Sequence, residues 1–144
     1  MKIIITESQY NRILKEEEEQ KVLRIPSMKY FSNDWDLLQK FLESKGYPPY
    51  TIGGDLNLRD TSIESLGNLT SVGGNLILRD TQIKFLGNLT SVGGSLDLSR
   101  TPIESLGNLT SVGGFLDLRG TPLSNEYTEK QIRQMVDVDG EIYL

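Results

Sequence analysis

The chain is predicted to fold as a solenoid, a stack of short coils joined by a parallel β-sheet and closed by a helical cap at each end. Three observations carry that prediction. Residues 52–124 repeat with a period of 20 residues and no insertion: the segments opening at Ile52, Val72, Val92 and Val112 read IGGDLNLRDTSIESLGNLTS, VGGNLILRDTQIKFLGNLTS, VGGSLDLSRTPIESLGNLTS and VGGFLDLRGTPLSN. A fixed period of this length marks one structural unit per repeat, stacked on its neighbours. Within each unit an L-x-L pair recurs, at Leu56/Leu58, Leu76/Leu78, Leu96/Leu98 and Leu116/Leu118, which is the period-two signature of a short strand with one buried face. Finally, a full coil offers about six inward apolar side chains, too few to offset the entropy of ordering its own backbone, so the coils must share one core.

Residues 1–25 read as an arm. Ile3-Ile4-Ile5 suits a short strand, Thr6 and Gln9 form a capping box opening a helix, and Tyr10, Ile13 and Leu14 give that helix one apolar face. The run Glu16–Glu19 reads as a solvated face. The arm is expected either to pack on the adjoining cap or to pair with a second copy through the isoleucine strand, a route to a homo-oligomer.

Residues 26–51 are expected to cap the N-terminal end. Ser32 or Asn33 is the expected N-cap of an amphipathic helix carrying Trp35, Leu38, Phe41 and Leu42, which Gly46 stops. Trp35 and Phe41 are expected to cover the first coil, and Tyr47-Pro48-Pro49-Tyr50 makes a stiff, extended entry into Ile52.

Within the coils, residues 52–124, the glycine pairs beginning at Gly53, Gly73, Gly93 and Gly113 suit a tight bend entering each strand. Thr61, Thr81, Thr101 and Thr121 stand at the turn out of it, placed to bond the backbone of their own or the next coil as a ladder; Asn68, Asn88 and Asn108 suit turn caps. Ile63, Ile83, Ile103 and Leu123, then Leu66, Leu86, Leu106 and Leu69, Leu89, Leu109, complete the inward set.

Residues 125–144 form the C-terminal cap and a last strand. Thr128 with Gln131 makes a capping box, Tyr127 and Ile132 a hydrophobic staple, and Ile132, Met135 and Val136 one side of a short helix. Val138-Asp139-Gly140-Glu141-Ile142-Tyr143-Leu144 repeats the V-G-G-x-L-x-L frame, which predicts a fifth strand entered 26 residues after the fourth.

The frame L-x-L-x-x-T-x-I, seen in LILRDTQI, resembles the leucine-rich repeat, with threonine where that family usually carries asparagine. The approach LTSVGGxLxL is similar to the repeats of receptor L domains and related bacterial surface proteins. The resemblance spans about half the chain and implies a right-handed solenoid with a single parallel sheet, here of about five short strands, and a role in protein recognition. The opening MKIIITESQYNRIL resembles the starts of many small proteins encoded by tailed bacteriophages.

Composition narrows the function. The net charge is −5; residues 51–125 carry five positive and seven negative side chains, so the basic excess of a nucleic-acid footprint is missing even though Arg59, Arg79, Arg100 and Arg119 rise along the stack. No histidine and no cysteine occur, removing the commonest general base, the commonest metal ligand and the thiolate nucleophile. Asp97 and Asp117 fall on neighbouring strands, an arrangement that more often marks a solvated face than paired acids at work. The Gly53-Gly54-Asp55 triplet lacks the alternating glycine and aspartate of calcium-binding β-rolls, and Asn-Leu-Thr at 68, 88 and 108 fits the glycosylation acceptor pattern but, with no secretory signal visible, reads more simply as the turn sequence. Neither catalysis nor a cofactor is expected. No signal peptide and no apolar run long enough to span a membrane is visible, which makes the cytoplasm, of a bacterial host if the chain is phage-encoded, the default location.

The residues flanking the strand leucines remain. Most are polar, as a solvated sheet face should be; Ile77, Phe115 and Tyr143 are not. Exposed apolars scattered singly need no function, but an aromatic beside arginine is also the usual composition of a binding hot spot. The functional expectation is therefore a protein-binding module whose outward face uses Ile77, Phe115 and Tyr143 as anchors with Arg59, Arg79, Asp97, Asp117 and Arg119 as polar contacts. The alternative is a structural or self-assembling protein joined through its N-terminal arm, which the near-identity of the coils favours.

Overall fold

The structure, a computed structural model, describes residues 6–9, 11 and 22–144. Residues 7–9 and 11 are helical, and Thr6 and Gln9 bond reciprocally, the Thr6 N–H donating to Gln9 Oε1 at 2.9 Å and the Gln9 N–H to Thr6 Oγ1 at 3.1 Å. The strand expected at Ile3–Ile5, the apolar face of Tyr10, Ile13 and Leu14 and the run Glu16–Glu19 lie outside the described residues.

Each repeat contributes two strands rather than one. The segment before the glycine pair forms β2 (Tyr50–Ile52), β4 (Leu69–Val72), β6 (Ser91–Val92) and β8 (Ser111–Val112); the first half of L-x-L forms β3 (Leu56–Asn57), β5 (Leu76–Ile77), β7 (Leu96–Asp97) and β9 (Leu116–Asp117). With β1 (Leu23–Ile25) and β10 (Asp137–Val138) the first set makes a six-stranded parallel sheet, in the order β1-β2-β4-β6-β8-β10. With β11 (Ile142–Tyr143) the second makes a five-stranded one, in the order β11-β9-β7-β5-β3. The expected single sheet is thus corrected to two parallel sheets of a repeat-like solenoid.

The glycine pairs explain the division. A Cβ added to Gly73, Gly93 or Gly113 would meet the carbonyl oxygen of the glycine one coil earlier, so the backbones touch at this corner and only glycine fits. Hydrogen bonding runs on through the bend, the Gly93 N–H donating to Val72 O at 2.8 Å and the Gly94 N–H to Gly74 O at 2.9 Å.

The period of the sequence is the register of the sheets. Val72, Val92 and Val112 are successive partners, as are Leu76, Leu96 and Leu116. Val138 pairs with Val112 and Ile142 with Leu116, so the predicted C-terminal strand is present in the predicted frame. The longer last connection holds two helices, α2 (Pro122–Glu126) and α3 (Glu129–Met135), where one was expected. The Thr128–Gln131 capping box opens α3, whose Ile132 is buried; Thr121 caps α2, with proline in its first turn.

At the other end, Leu23 to Ile25 pair with Tyr50 to Ile52, so these three residues, assigned by sequence to the arm, belong to the stack. Helix α1 (Trp35–Ser44) buries Leu38 and Leu42 and half-buries Trp35 and Phe41 against the core. Its N-cap is Asp34, whose Oδ1 accepts from the N–H groups of Asp36 at 3.0 Å and Leu37 at 3.2 Å. The expected caps Ser32 and Asn33 have φ of 54° and 55°, left-handed conformations, whereas an N-cap is extended.

Along the core, which runs from Ile25 to Ile142, the polar columns have separate tasks. Thr61, Thr81, Thr101 and Thr121 each donate to the carbonyl three residues back, at 2.6–2.7 Å, tying off their own coil. The ladder between coils is made by another column: Thr70 donates to Tyr50 O at 3.2 Å, Thr90 to Thr70 O at 3.0 Å and Thr110 to Thr90 O at 2.9 Å. No helix among the described residues is long and apolar enough to cross a membrane.

Candidate functional site

The outward side of the five-stranded sheet is built in columns, one residue per coil. Asp55, Asn75 and Ser95 form the first; their side-chain oxygens accept the N–H of the residue 20 positions on, at 2.7, 2.8 and 3.0 Å. These residues fasten coils together. In the second column Asn57, Asp97 and Asp117 accept from the N–H two residues ahead, at 3.2, 3.0 and 3.1 Å, holding the chain in an Asx turn as it leaves the strand. Ile77 stands in the same column and makes no such bond, leaving an apolar surface there.

The turn ends on a left-handed residue, Asp60, Asp80, Arg100 or Gly120, with φ of 59°, 59°, 53° and 72°. In the third coil arginine itself takes the left-handed place: the Arg-Asp pair of the first two coils becomes Ser99-Arg100. Arg100 consequently reaches back one coil and grips Asp80 with Nε at 2.8 Å and Nη2 at 2.6 Å. That bidentate bond, joined by the charges of Arg100 and Arg79, holds the Asp80 carboxyl below the usual carboxylate range and raises the Arg100 guanidinium above its own.

In the last two coils Phe115 and Tyr143, each 39% exposed, meet edge to face with ring centroids 5.7 Å apart. The Arg119 guanidinium lies 5.0 Å from the Tyr143 ring centre and forks onto Asp117, with Nε at 3.0 Å and Nη2 at 2.6 Å. Asp117, expected to be solvated, is only 4% exposed, because Arg119 closes over it. Burial pushes its carboxyl up, but the side-chain and backbone bonds from Arg119 outweigh that and hold it below the ordinary carboxylate range.

Five of the sequence-predicted residues, Arg79, Asp97, Phe115, Asp117 and Arg119, line one groove of about 490 Å³, together with Ser99, Arg100 and Gly120. Ile77 joins Asp97 and Phe115 around a second hollow of about 160 Å³, and Tyr143 touches the first group through Phe115 and Arg119. Arg59 lines neither hollow. Asp97 and Asp117 are register partners, yet each carboxylate is already bonded, to the Ser99 hydroxyl at 2.6 Å and to Arg119 respectively. Among the described residues no group of three or more acidic, histidine or cysteine side chains is placed to hold a metal. Sequence reasoning left Arg100 and Ser99 out of the site, although the displaced arginine of the third repeat marked both. No protein-family model, curated protein or solved structure matches this chain.

Proposed function

We propose that the chain is a non-enzymatic protein-binding module of leucine-rich-repeat type, a right-handed solenoid that presents the outward face of its five-stranded sheet to a protein partner. The observation that supports this best is the fixed cluster of Phe115, Tyr143 and Arg119 at the rim of the groove, with Arg119 locked by the buried Asp117. Aromatic and arginine side chains held in place before binding lose little entropy on contact, which is how a few residues come to dominate an interface. Both carboxylates on the groove, Asp97 and Asp117, are committed to a neighbour, which disfavours acid/base work.

The test is capture of partners from a lysate of the source organism or its host by the wild type and by the double variant Ile77→Glu, Phe115→Glu, after circular dichroism has shown the variant folded. A partner held by the wild type and lost by the variant supports a recognition face on this sheet. A partner held by both, or none held by either, overturns that assignment and favours assembly through the N-terminal arm. Light scattering on the full chain and on residues 22–144 reads the arm's contribution directly.

A further inference from the structure

Resting on that reading of the face, we infer that the segment it takes carries one bulky apolar side chain flanked by a single carboxylate, the first seated between Ile77 and Phe115 and the second on Arg79. The two hollows share Asp97 and Phe115, so they adjoin on the same face of the coils. The smaller exists because the third coil carries Ser95, just before β7, in the place where the next coil carries Phe115, leaving a gap walled by Phe115 on one side and Ile77 on the other. Its 160 Å³, open to solvent between Ile77 and Phe115, is of the order of one aromatic ring or branched aliphatic side chain.

Charge selects the neighbour of that side chain. Three arginines and three aspartates meet around the larger groove. Arg100 is held bidentate by Asp80 and Arg119 by Asp117. Arg79 makes no such fork: its Nε stands 3.9 Å from Asp80 Oδ2, an ion pair without a hydrogen bond, and is covered by protein with no hydrogen-bond partner among the described residues. Arg79 lines the groove, and its guanidinium, not already forked onto a carboxylate, has donors to offer an acceptor there, for which its planar fork matches a carboxylate. Because the other two arginines are already paired, the groove suits one acid and not a run of them; a polyanion would face Asp80, Asp97 and Asp117 without further arginines to answer them.

Panning a library of short random peptides on the full chain tests this, followed by affinity measurements on one retained peptide. The retained peptides are expected to share an aromatic or branched aliphatic residue within a few positions of Asp or Glu. Arg79→Gln is expected to weaken binding by about tenfold, and changing the peptide's acid to its amide to cost the same, with no further loss when both changes are combined. Phe115→Glu is expected to abolish binding in a folded protein. Binding that survives Arg79→Gln but not Phe115→Glu overturns the carboxylate assignment and leaves the binding face standing. Binding that survives both overturns the face as well. Peptides with clustered acids, peptides without any acid, competition by inorganic phosphate, or no retained peptide each overturn the inference.

Discussion

At Asp117 three hydrogen bonds from a single residue, Arg119, converge on a carboxylate that the fold has taken out of water. Its folded pKa is depressed, so its contribution to stability is complete above the unfolded value of about 3.9 and is lost as pH falls through the folded one. Asp117→Asn is therefore expected to be less stable than wild type at neutral pH, with the gap closing as the medium is acidified below about pH 4. Urea midpoints measured across that range check it; a gap that stays constant with pH would mean that packing, not charge, sets the cost. A second residue-scale test concerns the corner. At Gly93 an added methyl meets the Gly73 carbonyl, a backbone atom fixed by its own coil, so Gly93→Ala is expected to cost about 1–3 kcal/mol or more, read as a lowered urea midpoint. The half-exposed Ser91 beside it should tolerate alanine with little change.

Among the elements, α3 depends most on its start. Thr128 Oγ1 accepts from the Gln131 N–H at 3.2 Å and Gln131 Oε1 accepts from the Thr128 N–H at 2.9 Å, so Thr128→Ala is expected to lose about 1 kcal/mol by thermal or chemical melting. This helix and β11 were legible in the sequence because each carries a local signature, the capping box in one and the V-x-G-x-I-x-L frame in the other. The first sheet was not. A two-residue strand such as Ser91–Val92 has a single inward side chain, which leaves no periodicity to read, and it exists because the coil before it offers a partner in register. Helix α2 does leave a signal, Thr121 followed by Pro122, but Thr121 also continues the threonine column, which masks it. In the candidate site, the alternation along L-x-L was enough to place Ile77, Phe115 and Tyr143 on the outer face. The burial of Asp117 and the grip of Arg100 on Asp80 were beyond it, since the first depends on Arg119 folding back within its own coil and the second on a left-handed Arg100 reaching one coil back.

At the scale of the whole molecule, the central coils contact their neighbours through the same 20-residue register, and a central coil should therefore be removable as a unit. Deleting residues 73–92 joins Val72 to Gly93 and keeps every column in phase: Asp55 faces the Ser95 N–H, Thr70 faces Thr110, and Arg100 faces Asp60, which stands in the column of Asp80. The shortened chain is expected to fold cooperatively, with lower stability and a smaller urea m-value, because less surface is exposed on unfolding. Deleting residues 73–82 instead removes half a period, sets polar positions against the core and is expected to abolish the cooperative transition. Circular dichroism with urea titration separates the two outcomes; equal behaviour of both deletions would show that the register is not what holds the stack. The longer deletion also couples fold to function. Arg59 moves into the place of Arg79, but Asn57 replaces Ile77 as the wall opposite Phe115. A folded chain that has lost its apolar hollow while keeping an arginine at the groove should no longer hold the peptide that the wild type retains.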